Sequence, residues 1–248
     1  MNIKEVLTQF KAVSLEDMNV VSLMNRVDVK FAFKKKKLLT LLSELSDYYN
    51  VLTIDNEQIQ EYQSLYYDTV DRVFFIQHHN DRVNRNKVRF RKYVGSGLTF
   101  LEVKLKNNKG KTVKKRIRVD DIPVSLSSSQ KEYVKNTVGE DLVLTPQHWI
   151  NFHRITFIDK LNTERLTIDI DLHFSNKIKS GGFEDVVVAE IKKERSSQSS
   201  KFTYIAKKHH ILPIRLSKYC MSTISLNPSV KHNRFKEKVL LINKLKQE

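Results

Sequence analysis

Residues 87–119 read KVRFRKYVGSGLTFLEVKLKNNKGKTVKKRIRV, and this stretch decides the fold. The tripeptides Gly95-Ser96-Gly97 and Asn108-Lys109-Gly110 divide it into three segments, which predicts three consecutive β-strands joined by tight turns. Side chains two residues apart share one face of a strand. In each segment Lys and Arg therefore lie mainly on one face and Val, Leu, Ile or Phe mainly on the other. The stretch predicts an antiparallel sheet with an apolar face and a cationic face, into which Glu102 is set.

Two interpretations of the cationic face are open. An antiparallel sheet often leaves one polar face in water. Like charges directly opposite each other on paired strands repel, so a face that is only hydrated should mix Thr, Ser, Gln and Glu with its Lys. A face of largely one sign indicates a polyanionic ligand instead. The net charge of +16 over 248 residues points the same way, towards nucleic acid, a membrane surface or phosphate chains.

Composition excludes several classes of protein. The single Cys220 excludes an internal disulfide framework and any multi-cysteine metal site. The N-terminal sequence MNIKEVLTQF has no apolar core of a signal peptide, and no apolar run approaches the roughly 20 residues of a membrane helix. Gly and Pro are scarce, so we expect an ordered fold. The expectation is a cytoplasmic protein without a membrane segment.

The alternation seen in residues 87–119 recurs along the chain. Further strands are predicted at 25–33, 49–54, 62–68, 148–158, 164–172 and 186–193, with Pro146 closing the segment before the fourth of these. Helices are predicted within 3–24 and at 34–48, 71–79, 127–138, 199–209, 217 onwards and 230–246. The lysine run 34–37 is interpreted either as a hydrated charge cluster or as a cationic rim around an anion site.

About eight strands with one apolar and one charged face predict an α+β fold. The helices cover the apolar faces, and the sheet can stay open or close. If it closes with its charges inside, it forms a barrel with a polar lumen and no exposed edge strands. Burying ten or more Lys and Arg without counter-charge is prohibitive, so the lumen must hold water and anions. Inward acids offset some charge or hold a hard divalent cation; the candidates are Asp28, Glu102, Asp169, Asp171 and Glu190.

Several pieces, in this order and spacing, carry a family resemblance. They are RVDVKF at 26–31, SLYYDT at 64–69, RNKVRFRKY at 85–93, FLEVKLK at 100–106, KKR at 114–116, HR at 153–154, RLTIDID at 165–171, EIK at 190–192 and LSKY at 216–219. Together they resemble the VTC domain, the polyphosphate polymerase module of the CYTH-like triphosphate tunnel metalloenzymes. The resemblance implies an eight-stranded antiparallel closed barrel with helices outside. It divides the chain into an N-terminal helical segment (1–24), a tunnel domain (25–226) and a C-terminal basic helix of the same domain (227–248).

The resemblance also implies roles for individual residues. The implied catalytic residues are Arg89, Arg91, Lys104, Arg154 and Arg165. The implied phosphate-binding residues are Lys30, His78, Arg85, Lys114, Arg116, Lys192, Arg215 and Lys218. Glu190 and Glu102 are the implied metal ligands, for Mn²⁺ or Mg²⁺. One departure stands out: the superfamily's Glu-x-Glu-x-Lys signature reads Arg26-x-Asp28-x-Lys30 here, which removes one carboxylate.

The implied activity is transfer of the γ-phosphate of ATP to a polyphosphate chain. Two alternatives stay open: hydrolysis of inorganic triphosphate by the same fold, and binding of a polyanion without catalysis. Nucleic acid is not the expected partner, because the cations alternate with acids on strands and no series of aromatic side chains lines up with them for base stacking. No Walker-type Gly-Lys-Ser/Thr loop is present, which agrees with a tunnel and not a P-loop.

Overall fold

The computed structural model describes residues 2–20, 26–108, 112–195 and 200–247. Its strands are β1 (Ala12–Val13), β2 (Arg26–Lys34), β3 (Tyr49–Leu52), β4 (Ile59–Asp68), β5 (Arg85–Tyr93), β6 (Leu98–Lys106), β7 (Thr112–Val119), β8 (Thr145–Asp159), β9 (Glu164–Ser175), β10 (Ser180–Phe183) and β11 (Val186–Glu194). Its helices are α1 (Ile3–Leu7), α2 (Leu15–Val20), α3 (Leu38–Leu45), α4 (Val73–His79), α5 (Ser128–Val138), α6 (Lys201–Lys208), α7 (Lys218–Leu226) and α8 (Lys236–Lys246), with 3-10 turns at Lys35–Lys37 and Asn233–Phe235.

Eight strands form one curled antiparallel path in the order β2-β11-β9-β8-β4-β5-β6-β7. The short strands β3 and β10 attach to β8 and β9, and β1 pairs with β3 in parallel. The predicted α+β class and eight-stranded antiparallel sheet are confirmed. The predicted closure is wrong: among the described residues no pairing joins β2 to β7, and the sheet is an open half-barrel. The edge of β2 is instead occupied by the segment before α7, where the Ile214 amide donates to the Lys30 carbonyl oxygen at 2.7 Å and Phe31 bridges Pro213.

The three strands predicted within residues 87–119 are β5, β6 and β7. Their register places Arg89 opposite Glu102 and Glu102 opposite Arg116, so the charged residues share one face as predicted. Gly97, with φ of 66°, provides the left-handed position in the first turn. The second predicted turn includes residues 109 and 110, which lie outside the described ranges.

Helices pack on both sides of the sheet, and not only on the apolar side as predicted. Helices α1, α3 and α6 pack on one buried core with β2, β8, β9 and β11. Helix α3 forms because its leucines recur at helical spacing and bury one face of the helix completely; they are Leu38, Leu41, Leu42 and Leu45. A second core lies between α5 and strands β4 to β6. A third core, under α4, α7 and α8, fills one end of the concave side.

The lysine run 34–37 caps other helices. The Lys34 and Lys37 ammonium groups donate to the carbonyl oxygens of Gln247 (2.6 Å) and His209 (2.7 Å), at the C-terminal ends of α8 and α6. A helix C-terminus carries partial negative charge, so cations there are stabilising. Lys34 and Lys37 therefore have a capping role that neither interpretation of this run included.

Two details differ from the predictions, and three predicted boundaries are not tested. Pro146 lies inside β8, opposite Tyr67, at the point where the register of β4 and β8 shifts, and an irregularity of this kind tolerates a residue without an amide hydrogen. The strands β1 and β10 are too short to give a periodic pattern and were not predicted. The structure does not describe the residues at which one strand and one helix were predicted to start, Asn25 and Ser199. The same holds for the predicted domain boundary between residues 24 and 25.

Candidate functional site

Alternating side chains of the eight strands converge on the concave side of the sheet. We define the basic face by the cations Lys30, Lys87, Arg89, Arg91, Lys104, Lys114, Arg154, Arg165, Lys192 and Lys218, together with the carboxylates Glu102, Asp169 and Glu190. Lys104 on β6 and Glu190 on β11 act on each other's pKa although four strands separate them in the sheet. This mutual influence agrees with the charged sides of the strands sharing the concave side of the open half-barrel.

Glu102 holds two of these cations. It is fully buried, and its Oε2 accepts from Arg89 Nε (2.8 Å) and Nη2 (2.6 Å). Its other oxygen pairs with the Lys114 ammonium. Burial alone would raise the pKa of Glu102, but Arg89, Arg91 and Lys114 lower it well below its usual range. The carboxylate is ionised and acts as a shared counter-ion.

Asp169 and Glu190 repeat this arrangement. Asp169 accepts a bidentate pair of hydrogen bonds from Arg154, at 2.6 and 2.8 Å, and also pairs with Lys218 at the start of α7. Glu190 is held less tightly, with Lys192 at 3.1 Å and Lys30 at 4.0 Å. Despite the burial of Asp169, the neighbouring Arg154 and Lys218 keep its pKa below its ordinary range.

Four cations of the basic face have no carboxylate partner among the described residues: Lys87, Arg91, Lys104 and Arg165. The Arg91 side chain is buried, and its Nε donates to Ser64 Oγ at 3.2 Å. Burial, reinforced by Arg89, lowers the pKa of Arg91. Burial, reinforced by Arg89 and Arg91, lowers the pKa of Lys104 well below its ordinary value. Cations crowded in this way are suited to an anion that the described residues do not supply.

An aromatic pair forms part of the floor of the basic face. The Tyr62 and Phe152 rings stack with centroids 5.2 Å apart and an interplanar angle of 6°. The guanidinium groups of Arg91 and Arg154 lie 5.2 and 5.0 Å from the Tyr62 centroid, and the Lys218 ammonium lies 5.0 Å from that of Phe152. Cations over aromatic faces are attracted by the ring quadrupole without being neutralised. The rings orient these cations and leave their charge available.

The sequence model of the VTC domain family matches residues 25–227. The chain belongs to the VTC domain family. A search of curated protein sequences finds no match. Among solved structures, this VTC domain is similar to a proposed adenylyl cyclase from Hippeastrum, which is described as having a dominant triphosphatase activity. The two share 13% identity with a TM-score of 0.50, and the match covers 84% of this chain and 98% of that chain. It is also similar to a proposed adenylate cyclase from Vibrio parahaemolyticus, with 12% identity, TM-score 0.47, and coverage of 80% and 97%. At these identities the Hippeastrum likeness shows a shared fold.

The residues implied by the VTC resemblance divide into two groups in the structure. The basic face brings together Arg89, Arg91, Lys104, Arg154, Arg165, Lys30, Lys114, Lys192, Lys218, Glu102 and Glu190. The others lie towards its margins. Arg85 donates to Asp81 at 2.5 Å, Arg215 is exposed, and Arg116 is exposed on the edge strand with its guanidinium 4.4 Å from the Phe100 centroid.

His78 lies on α4 among cations. Burial, reinforced by Lys87, Arg85 and Lys30, lowers the pKa of His78 to about 2. The imidazole is therefore neutral at physiological pH, and it adds a hydrogen-bonding group but no charge to this end of the VTC domain's basic face.

The sequence analysis did not single out two features of the site. Tyr66 has no implied role in the site; it is buried, and its hydroxyl accepts from Arg89 Nη1 at 2.7 Å. Lys87 shares the face of Arg89 and Arg91, yet it was not among the implied site residues. The alternation of the strand was the signal that could have identified Lys87.

Two searches of the described part of the VTC domain gave negative results. Within it, no group of three or more His, Cys, Asp and Glu side chains is arranged to hold a metal ion. None of its helices combines the length and the apolar character needed to cross a bilayer.

Proposed function

We propose that this VTC domain binds triphosphate or polyphosphate on the basic face and transfers the γ-phosphate of ATP to a polyphosphate chain. The observation that supports this most directly is the buried Arg91 without a carboxylate partner in the described residues. Ionised groups in protein interiors are otherwise paired, because desolvation without a partner is very costly. A chain of phosphates supplies the missing negative charge at several points in a row.

The guanidinium groups differ in how much of their hydrogen-bonding capacity is already used. All three nitrogens of Arg89 are engaged, with Nε and Nη2 on Glu102 and Nη1 on Tyr66. Arg91 uses only Nε, so both of its terminal nitrogens are available for a bidentate phosphate contact. We therefore assign Arg91 as a direct phosphate ligand and Arg89 as a fixed positive charge beside it.

Phosphoryl transfer depends mainly on positioning and on neutralising charge at the transferring group. In the proposed mechanism Arg91, Arg154 and Arg165 hold consecutive phosphates in line. Arg154 keeps Nη1 for this purpose, because its Nε and Nη2 bind Asp169. Lys104 and Lys218 neutralise the remaining oxygens as point charges. The aromatic pair Tyr62 and Phe152 keeps the cations above it aligned.

The two proposed metal ligands fit a divalent cation unequally. Glu102 is enclosed between Arg89 and Lys114, so both of its oxygens are already occupied by cations. Glu190 is held only loosely, at 3.1 and 4.0 Å, and remains suited to contribute one oxygen ligand. A Mn²⁺ or Mg²⁺ ion held there would act as a Lewis acid and offset the negative charge of the phosphates. We therefore assign Glu190 as the metal-binding carboxylate and Glu102 as a counter-ion.

The activity is tested with purified protein, ATP and Mn²⁺, with polyphosphate as the measured product. Arg91→Met should abolish product formation. A variant at Arg89 would leave the buried Glu102 carboxylate without its arginine partner, whereas Arg91→Met does not. Lys92→Met, the next residue on β5, is the matched control, since Lys92 faces away from the basic face and pairs with Asp121 at the surface. Failure of the unaltered protein to make polymer refutes the polymerase assignment.

Hydrolysis of inorganic triphosphate is the second candidate function. It is favoured by the shared fold of the Hippeastrum protein, which is described as having a dominant triphosphatase activity. In that case orthophosphate is released from tripolyphosphate and no polymer forms from ATP. Binding of tripolyphosphate with neither product would instead identify a non-catalytic polyanion-binding protein.

A further inference from the structure

Lys87 is a cation of the basic face that neither the family resemblance nor the proposed mechanism uses. It lies on β5 opposite Lys104 of β6, with both side chains half-buried. Its ammonium makes no hydrogen bond or ion pair within the described residues, whereas Lys30 on β2 contacts both the Leu216 carbonyl oxygen and Glu190. Lys87 is therefore held half-buried without a compensating carboxylate among the described residues, which costs free energy.

The surroundings of Lys87 are positive. Burial lowers its pKa, and the nearby Lys30 and Arg89 lower it further. The neighbouring Cys220 and Tyr66 act in the opposite direction, but burial raises the pKa of the Cys220 thiol, which is therefore uncharged near neutral pH. The internal ranges outside the description, 21–25, 109–111 and 196–199, contain no Asp or Glu. No carboxylate of these internal ranges is available to neutralise Lys87.

Lys87 also marks one end of the basic face. Among charged groups, Lys87 lowers the pKa of His78 on α4 the most, and Arg85, Lys30 and Lys106 also lower it. A neutral imidazole that faces several cations is poorly placed for a cationic ligand, and it is well placed to donate a hydrogen bond to an anion that the cations attract. Helix α4 also contacts β5 directly, because the Asn86 amide donates to Gln77 Oε1 at 3.3 Å, next to Lys87 and His78 in sequence. Lys87 and His78 therefore lie at the same end of the basic face, and Lys30 of β2 acts on the same imidazole.

We propose that Lys87 is a further phosphate-binding residue and that, with His78 and Lys30, it holds a phosphate group of the substrate chain at the α4 end of the basic face. This assignment rests on the proposed function of that face. The alternative is a structural role, in which Lys87 serves only through the packing of its half-buried aliphatic part. The two roles differ in what replacement by methionine does, because methionine keeps the length of the side chain and removes the charge.

The test compares Lys87→Met with the unaltered protein by two measurements. Isothermal titration calorimetry with inorganic tripolyphosphate should show affinity reduced by about tenfold or more, the usual effect of losing one charge-assisted contact. Thermal unfolding without ligand should show a higher melting temperature, because the variant removes a desolvated and repelled charge. Lys87→Arg should retain most of the affinity. Lys92→Met, with the same substitution on the opposite face of β5, should change neither property.

The results separate this assignment from the function on which it rests. Unchanged tripolyphosphate affinity in Lys87→Met, with tight binding by the unaltered protein, overturns the assignment of Lys87 alone. A lower melting temperature in Lys87→Met shows that the lysine is structural and also overturns it. Absence of tripolyphosphate binding by the unaltered protein overturns the proposed function, and the assignment of Lys87 with it.

Discussion

Replacing Glu102 with glutamine tests whether the acids of the basic face are counter-ions. Glu102 is fully buried, accepts two hydrogen bonds from Arg89 and pairs with Lys114. Glu102→Gln keeps the shape of the side chain and removes its charge. Two cations then lose their shared partner while remaining in a low-dielectric environment.

The expected loss of stability follows from the burial of the partners. Removing one member of a buried ion pair costs about 3–5 kcal/mol. Arg89 is almost completely buried, but Lys114 keeps about a third of its side chain in solvent, so its share is smaller. The glutamine oxygen also still accepts one hydrogen bond from Arg89. We therefore expect a loss near the lower limit, about 3 kcal/mol.

Urea denaturation measures this loss. With a slope of about 3 kcal/mol per molar, the midpoint should fall by about 1 M. Asp141→Asn, which breaks the solvent-exposed pair with Lys135, should leave the midpoint unchanged and serves as the control. Since the folded protein holds the pKa of Glu102 below its unfolded value of about 4.3, the carboxylate stabilises the fold above that pH, and this contribution is lost as the pH falls further. The difference between the variant and the unaltered protein should therefore shrink in acid.

Tripolyphosphate separates the two roles considered for Glu102. As a counter-ion it competes with phosphate for Arg89 and Lys114, so Glu102→Gln should bind tripolyphosphate at least as tightly as the unaltered protein. A metal ligand at this position would instead make Mn²⁺-dependent binding weaker in the variant. A urea midpoint within experimental error of the unaltered protein would refute the counter-ion role.

Three further predictions concern the surroundings of the basic face. The pKa of Lys114 is lowered to about 8, mainly by burial, so a bound phosphate should raise it; calorimetry at pH 8–9 in two buffers should detect proton uptake on tripolyphosphate binding, and Lys114→Met should reduce that uptake. Tyr66→Phe removes the hydroxyl that accepts from Arg89, and tripolyphosphate affinity should fall about two- to tenfold. Other variants of Tyr66 without a hydrogen-bond acceptor should not restore this affinity. Asp68→Asn should lower the free energy of unfolding by about 2–3 kcal/mol, because the buried carboxylate accepts from the Tyr219 hydroxyl and from backbone amides, but the affinity of the folded protein for tripolyphosphate should not change.

The strands and their faces could be predicted because side-chain alternation is a local property. The positions of Lys87, Arg89 and Arg91 on one face follow from their spacing of two residues, and the register of β5 and β6 preserves it. The helices that cover the apolar side, such as α3, could be predicted for the same reason, since their leucines recur at helical spacing.

The open edge of the sheet and the pairing of charges could not be predicted from local pattern. Closure failed because residues 213 and 214, far along the chain, take the edge of β2. The partner of Asp169 on α7, Lys218, depends on how that helix docks into the concave side. The sequence analysis left two roles open for Asp169, offsetting charge or holding a cation, and its bidentate contact with Arg154 agrees with the first. Tyr66 serves both the core and the site, a dual role that burial patterns do not reveal.

The most direct test of this account is a crystal structure of the protein with tripolyphosphate bound. We expect phosphate density on the basic face, with oxygens about 3 Å from the terminal nitrogens of Arg91 and from Arg154 Nη1. Density located only at surface lysines such as the 34–37 run, with the basic face filled by water, would contradict the account.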